Sequence, residues 1–224
     1  MSVMLVAQQL QAQNFKETLL RAKEIFSAPQ RMELSMTIRA VDKNDADRVL
    51  FTEKAMAQKD SAKYHSQFNG VEVLMNSRYL IMVNHTLKQI QYTPNMTATQ
   101  APTNQLLSVN IDSLLNVYGQ ATYVGKPNEF DQFEIKHGKG PINTTEMYFA
   151  ASGMLKKIIY HYASGQQVEI TVDDFNTNPT WSSDLFLESK YWDNLGGTFK
   201  TTPAFAGYKL MASGLGAGKS KKTN

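Results

Sequence analysis

A phosphate-binding loop is suggested near the C-terminus, where Gly214-Leu215-Gly216-Ala217-Gly218-Lys219-Ser220 stands in sequence. Such a loop needs a glycine where Ser213 stands, and a following helix whose first amides face the phosphate. Too few residues follow Ser220 to build that helix, so the stretch reads as a flexible basic tail over residues 213–224. Four histidines, His65, His85, His137 and His161, are too far apart in sequence for a helical metal-ligand pair, and they read as turn and sheet-surface residues. Asp173-Asp174 could supply acid–base chemistry or bind calcium, but the spacing fits no calcium loop. The pair reads as a polar strand end leading into a turn. Ser152-Gly153 and Ser164-Gly165 read as turns, not nucleophile elbows. With no cysteine, thiolate metal sites, disulfides and cysteine nucleophiles are excluded. No cofactor site and no catalytic constellation emerge, and an enzyme is not expected.

The remaining chemistry is apolar contact. Eleven methionines occur, and Met32, Met36, Met75, Met82 and Met147 fall on strand-like segments. Methionine is flexible and polarisable, so it suits a surface that accepts varied apolar shapes. Two readings stand side by side: plain core packing, or a concave apolar pocket between a sheet and its helices.

The elements that would position such a surface follow from periodicity. A helix is expected from about Asn14 to Phe26, capped by Asn14, with Phe15, Leu19, Ala22 and Phe26 on one stripe. Pro29 closes it. Met32, Leu34, Met36 and Ile38 alternate with polar residues, the pattern of a strand with one dry face. Strands are expected at Arg48–Gln58, Lys63–Phe68 and Val71–Met75, with Asn69-Gly70 as a hairpin turn. Arg78–Val83 is apolar at successive positions and should be covered on both sides. Leu87–Tyr92 pairs back after the turn at Asn84-His85. A second helix is expected from Gln105 to Tyr118, with Leu107, Ile111, Leu114 and Tyr118 on its stripe. Strands resume at Gln132–Lys136, Glu146–Ala150, Leu155–Tyr162 and Gln167–Asp173, with turns between them. Asp184–Tyr191 reads as a short cover and Phe205–Met211 as a last edge strand. The spacing of turns is that of an up-and-down meander.

Charge and length bound the function class. The 224 residues carry a formal charge of +3, but Lys219, Lys221 and Lys222 sit in the tail. Without them, 20 basic residues face 20 acidic ones, so a nucleic-acid partner is not expected. Val3–Ala7 is too short to cross a membrane. Leu10-Gln11-Ala12-Gln13 resembles the end of a signal peptide, and residues 1–13 read as the remnant of an export signal.

The alternating strand Met32–Arg39 after the first helix resembles the outer-membrane lipoprotein carrier family, the LolA-like periplasmic half-barrels. So do Tyr79-Leu80-Ile81-Met82-Val83-Asn84-His85 with its continuation Leu87–Tyr92, and the pair Glu146–Ala150 and Leu155–Tyr160. The likeness spans roughly Phe15 to Leu210. The family's Arg-Pro motif has no counterpart between Asp60 and Phe68. The resemblance implies an α+β, mostly β fold: one curved antiparallel sheet, an open half-barrel over residues 14–212. Its N-terminal and mid-chain helices would pack on the concave face. It further implies a periplasmic, non-catalytic, monomeric carrier or binding protein of the Gram-negative cell envelope, whose partner is a lipid acyl chain or a lipoprotein. The apolar site would then draw on Leu19, Phe26, Leu34, Met36, Ile38, Ile81, Met82, Leu107, Ile111, Leu114 and Tyr160. The alternative on the same fold is an envelope protein-interaction or structural module with a filled core.

Overall fold

The computed structural model describes residues 2–42, 45–94, 121–196 and 198–213, without the side chains of 2–13, 46 and 47. The expected helix at 105–118, with Leu107, Ile111 and Leu114, and the tail beyond Ser213 lie outside the described residues.

Helix α1 runs over Ser2–Ser27. Nothing in its first thirteen residues breaks a helix, so α1 begins well before the expected start. Asn14 therefore lies inside it rather than capping it, and its carbonyl accepts from the Thr18 hydroxyl at 2.8 Å. Pro29 stands just past the end of the helix. There Lys59 Nζ donates to the carbonyls of Ser27 and Pro29, both at 3.0 Å, a cation placed against the negative helix terminus. No described helix is long and apolar enough to cross a membrane.

The strands are β1 Arg31–Asp42, β2 Asp45–Asp60, β3 Lys63–Phe68, β4 Val71–Met75, β5 Tyr79–Asn84, β6 Gln89–Pro94, β7 Ala121–Gly125, β8 Asp131–Lys136, β9 Ile142–Phe149, β10 Leu155–Tyr162, β11 Gln166–Asn176, β12 Trp192–Leu195, β13 Thr198–Thr201 and β14 Lys209–Ala212. Twelve form one sheet in the order β14-β6-β5-β4-β3-β2-β1-β11-β10-β9-β8-β7, and β12-β13 is a separate hairpin. The pairing is antiparallel with one exception. The expected last edge strand lies parallel to β6, Lys209 opposite Gln89 and Ala212 opposite Tyr92. A parallel partner needs a crossover, and the chain after β11 supplies it by passing over one face of β4–β6. Asn69 and Gly70 both have positive φ, 48° and 69°, the backbone a two-residue hairpin demands. Strand β7 was not expected, because its five residues show no clear alternation.

Three apolar cores form. Phe15, Leu19 and Ala22 of α1 pack on Ala121, Phe133, Ile135, Met147, Phe149, Leu155 and Ile158 of β7–β10. Gly153 turns β9 into β10 at φ 86°, and Arg21's side-chain stem lies where a Cβ would stand. A second core joins Met32, Leu34, Ala57, Tyr64 and Met75 across β1–β4, with Phe26 reaching it from α1. The third lies under the crossover segment: Leu74, Ile81, Val83 and Ile90 against Tyr191, Trp192 and Phe205.

The helix stripe carries the first core. Leu19→Ala should cost about 2–5 kcal/mol in urea unfolding. Leu20→Ala, at a residue 44% exposed on the same helix, should change stability by less than about 0.5 kcal/mol.

Candidate functional site

Because side chains alternate along a strand, the ladder registers sort every residue onto one of two faces. On the face that carries α1, cross-strand rows run almost wholly apolar. One row is Phe175, Leu34, Ala57, Ser66, Val73 and Met82. The next is Val172, Met36, Ala55, Phe68 and Val71. Beyond it come Ile158, Ile170 and Ile38, a row that ends at half-buried Glu53 of β2, then Tyr160, Val168, Ala40 and Phe51. α1 covers the β7–β10 end of this face, and its Phe26 ring meets Phe175 of β11 edge-on at 5.1 Å. Met36, Ile38, Tyr160, Val168, Ile170 and Val172 are half-buried, and Met82 is 41% exposed. Ile38, Val168 and Ile170 join none of the three cores among the described residues.

The expected site residues divide accordingly. Leu19 is sealed in the core beneath α1, and Phe26 bridges that core to the central one. Leu34, Met36, Ile38, Met82 and Tyr160 share the helix face. Ile81 does not. It precedes Met82 on β5, so it points the other way, fully buried beneath Tyr191 and Trp192. Small residues that no periodicity singles out complete the floor: Ala55, Ala57, Ser66 and Val73 are all buried between larger neighbours. Only the strand register reveals them.

The opposite face of β3 and β4 holds a buried polar cluster. His65 is a correction to the sequence reading, being fully buried and not a surface residue. Its Nδ1 lies 2.8 Å from Gln58 Oε1, and its Nε2 lies 2.7 Å from Glu72 Oε1. Gln58 spends its amide hydrogens on Glu33 at 2.7 Å, so its oxygen must accept from His65. Glu72 Oε1 further accepts from Lys190 Nζ at 2.5 Å and from the Tyr191 hydroxyl at 2.6 Å. Burial alone would raise the Glu72 carboxyl, but hydrogen bonds from His65, Lys190 and Tyr191 and the Lys190 charge outweigh it and hold it at about 2. The cluster latches the crossover segment to the sheet. Asn76 adds to it, donating to Phe186 O at 3.0 Å and Glu188 Oε2 at 2.8 Å.

A second, more open cluster lies on the same face of β8–β10. His161 Nε2 sits 2.7 Å from Glu146 Oε1, while Tyr148 and Gln132 donate to the other carboxylate oxygen. Burial again works to raise the Glu146 carboxyl, and the Tyr148 and His161 bonds lower it more. His161 thus reaches a carboxylate, but no described hydroxyl nucleophile bonds to it. His137 Nε2 meets Thr145 Oγ1 at 2.8 Å on β9. Among the described residues, no three His, Asp or Glu side chains are placed to hold a metal ion. Asp173 is squeezed out of register in β11 opposite Ser35 and Met36, and it accepts from Thr37 Oγ1 at 2.7 Å.

No protein-family model and no curated protein matches the chain. Solved structures with a similar fold include an uncharacterized conserved protein from Thermus thermophilus, at TM-score 0.48 and 8% identity over 88% of this chain and 98% of that one. A putative outer membrane lipoprotein-sorting protein domain from Vibrio parahaemolyticus follows at TM-score 0.40 and 10% identity, covering 80% of this chain and 98% of that one. A LolA superfamily protein from Nitrosomonas europaea is similar at TM-score 0.38 and 13% identity, covering 77% of this chain and 97% of that one. The last two neighbours are of the lipoprotein-sorting and LolA superfamily type, at low sequence identity.

Glu72 has a lower pKa folded than unfolded, so its contribution is complete above its ordinary value of 4.5 and is lost as pH falls from there toward about 2. Unfolding of wild type should therefore become steeply easier across that window. Glu72→Gln should flatten the dependence and cost about 3–5 kcal/mol at neutral pH, because it leaves His65 and Lys190 without their anion.

Proposed function

We propose that this protein is a non-catalytic carrier or binding protein that seats the acyl chain of a lipid or lipidated polypeptide on the helix face of its sheet. One observation carries the reading. The helix face is largely apolar from β7 to β5, yet among the described residues α1 packs mainly on its β7–β10 end, with Met36, Ile38, Val168, Ile170 and Val172 half-buried and Met82 more exposed. A surface of that kind gains by burying further apolar area.

The occupant's shape follows from the floor. Small buried residues, Ala55, Ala57 and Val73, alternate with longer methionine and leucine side chains across β1–β5. Strands are spaced about 4.8 Å apart, so the apolar rows from β10 to β5 extend roughly 29 Å, enough for a long hydrocarbon chain. Each methylene buried there contributes up to about 0.8 kcal/mol. Methionine rims adapt to a chain of variable contour, which suits a site that must also release its cargo. The polar clusters on the opposite face stand apart from this binding. They fix the crossover segment over β4–β6 and leave the helix face to the ligand. A periplasmic location belongs to the same proposal and rests on the signal-like end at Leu10–Gln13.

The apolar dye N-phenyl-1-naphthylamine should brighten on binding wild type and be displaced by a long-chain fatty acyl compound. Ile170→Glu, which puts a charge on the half-buried floor, should weaken dye binding about tenfold or more. Gln167→Glu, on the other face of the same strand, should leave it within twofold. No binding by wild type would favour a filled-core interaction module. Equal loss in both variants would place the dye elsewhere.

A further inference from the structure

The helix face is mostly apolar, with Lys59 and Glu53 of β2 among its polar residues and two buried hydroxyls on β3. Tyr64 and Ser66 of β3 both point to this face, because each stands opposite a residue of its rows: Tyr64 between Lys59 and Met75, Ser66 between Ala57 and Val73. Each residue is only 4% exposed. Among the described residues, neither Tyr64 Oη nor Ser66 Oγ meets a partner at full hydrogen-bond geometry. An unpaired buried hydroxyl is costly, and native structures rarely keep one without a use. Burial pushes the Tyr64 phenol up to about 12, and the neighbouring Ser66 hydroxyl offsets part of that rise. The phenol therefore keeps its proton across the physiological range and is able to donate.

The only described cation in the same row is already engaged. Lys59 gives its protons to the carbonyls of Ser27 and Pro29 at the end of α1. An anionic head would thus enter an apolar layer without a counter-charge, at a high desolvation cost. A neutral carbonyl oxygen would meet two donors and pay far less.

Resting on the acyl-binding reading above, we infer that Tyr64 and Ser66 form a polar anchor on β3 that takes the carbonyl oxygen of an acyl ester, and so set the depth at which the chain is held. The hydroxyls supply direction. The apolar rows alone would let a hydrocarbon slide along the face, whereas two donors at one point fix its carbonyl end.

The test compares a ligand with and without the carbonyl on the same variants. Methyl palmitate is titrated as a displacer of N-phenyl-1-naphthylamine, and the dye, which has no carbonyl, reports the apolar face by its own affinity. Tyr64→Phe and Ser66→Ala should each weaken methyl palmitate about fivefold and leave dye affinity within twofold. The double variant should lose more than either single one. Neither variant should lower the melting temperature of the ligand-free protein, since each removes an unpaired hydroxyl. Palmitate, ionised at neutral pH, should bind wild type more weakly than its methyl ester. Unchanged methyl palmitate affinity in both variants, or parallel losses for ester and dye, would overturn the anchor while leaving the apolar face standing. Failure of wild type to bind either probe would remove the face itself, and the anchor with it.

Discussion

One ladder holds the molecule together: β1 against β11. On one side of that seam lie β1–β6 with the returning β14, and on the other β7–β11 with α1 packed upon them. Without it there are two modest sheets, each with an open edge. With it there is one twelve-stranded sheet whose two faces are continuous. The register from Glu33 opposite Asn176 to Asp42 opposite Gln166 aligns Met36 with Val172 and Ile38 with Ile170. A slip of one residue would send that apolar floor to the back of the sheet. The bulge that displaces Asp173 absorbs the one mismatch, and Thr37 holds the displaced carboxylate.

The seam also divides labour between the faces. The helix face is largely apolar and, among the described residues, only partly covered. The back face carries charge and is closed over β4–β6 by the crossover segment. There an aromatic group, Tyr79, Tyr92, Trp192 and Phe199, packs ring against ring with centroids 5.2 to 6.5 Å apart. Beneath the same segment His65, Glu72, Lys190 and Tyr191 form a closed set of donors and acceptors. Buried ion pairs seldom add much net stability, because desolvation consumes the Coulomb gain. Their value here is placement: the bonds of Lys190 and Tyr191 to Glu72 fix where the segment docks.

Much of this was legible in the sequence. Alternation from Met32 to Ile38 announces β1, and Asn69-Gly70 announces the β3–β4 hairpin, because each depends on neighbours in the chain. The stripe of Phe15, Leu19, Ala22 and Phe26 announces the buried side of α1. What escaped depends on distant partners. Glu72 and Lys190 are 118 residues apart, and nothing local marks either as buried. The parallel placement of β14 follows from a crossover that no hairpin signal encodes. Ile81 and Met82 illustrate the limit well. Successive apolar residues on β5 announce contact on both faces, but which of them shares a face with Met36 is decided by four intervening ladders. The small floor residues Ala55, Ala57 and Ser66 carry no pattern at all until β2 and β3 are set in register.

The central claim is that an acyl chain lies on the helix face and not on the back. Methyl-labelled isoleucine and methionine, observed by nuclear magnetic resonance during titration with methyl palmitate, test it directly. The resonances of Met36, Ile38, Met82 and Ile170 should move, while those of Ile81 and Ile90 beneath the crossover segment stay in place. Shifts confined to Ile81 and Ile90, or none at any of these methyls, would contradict the account.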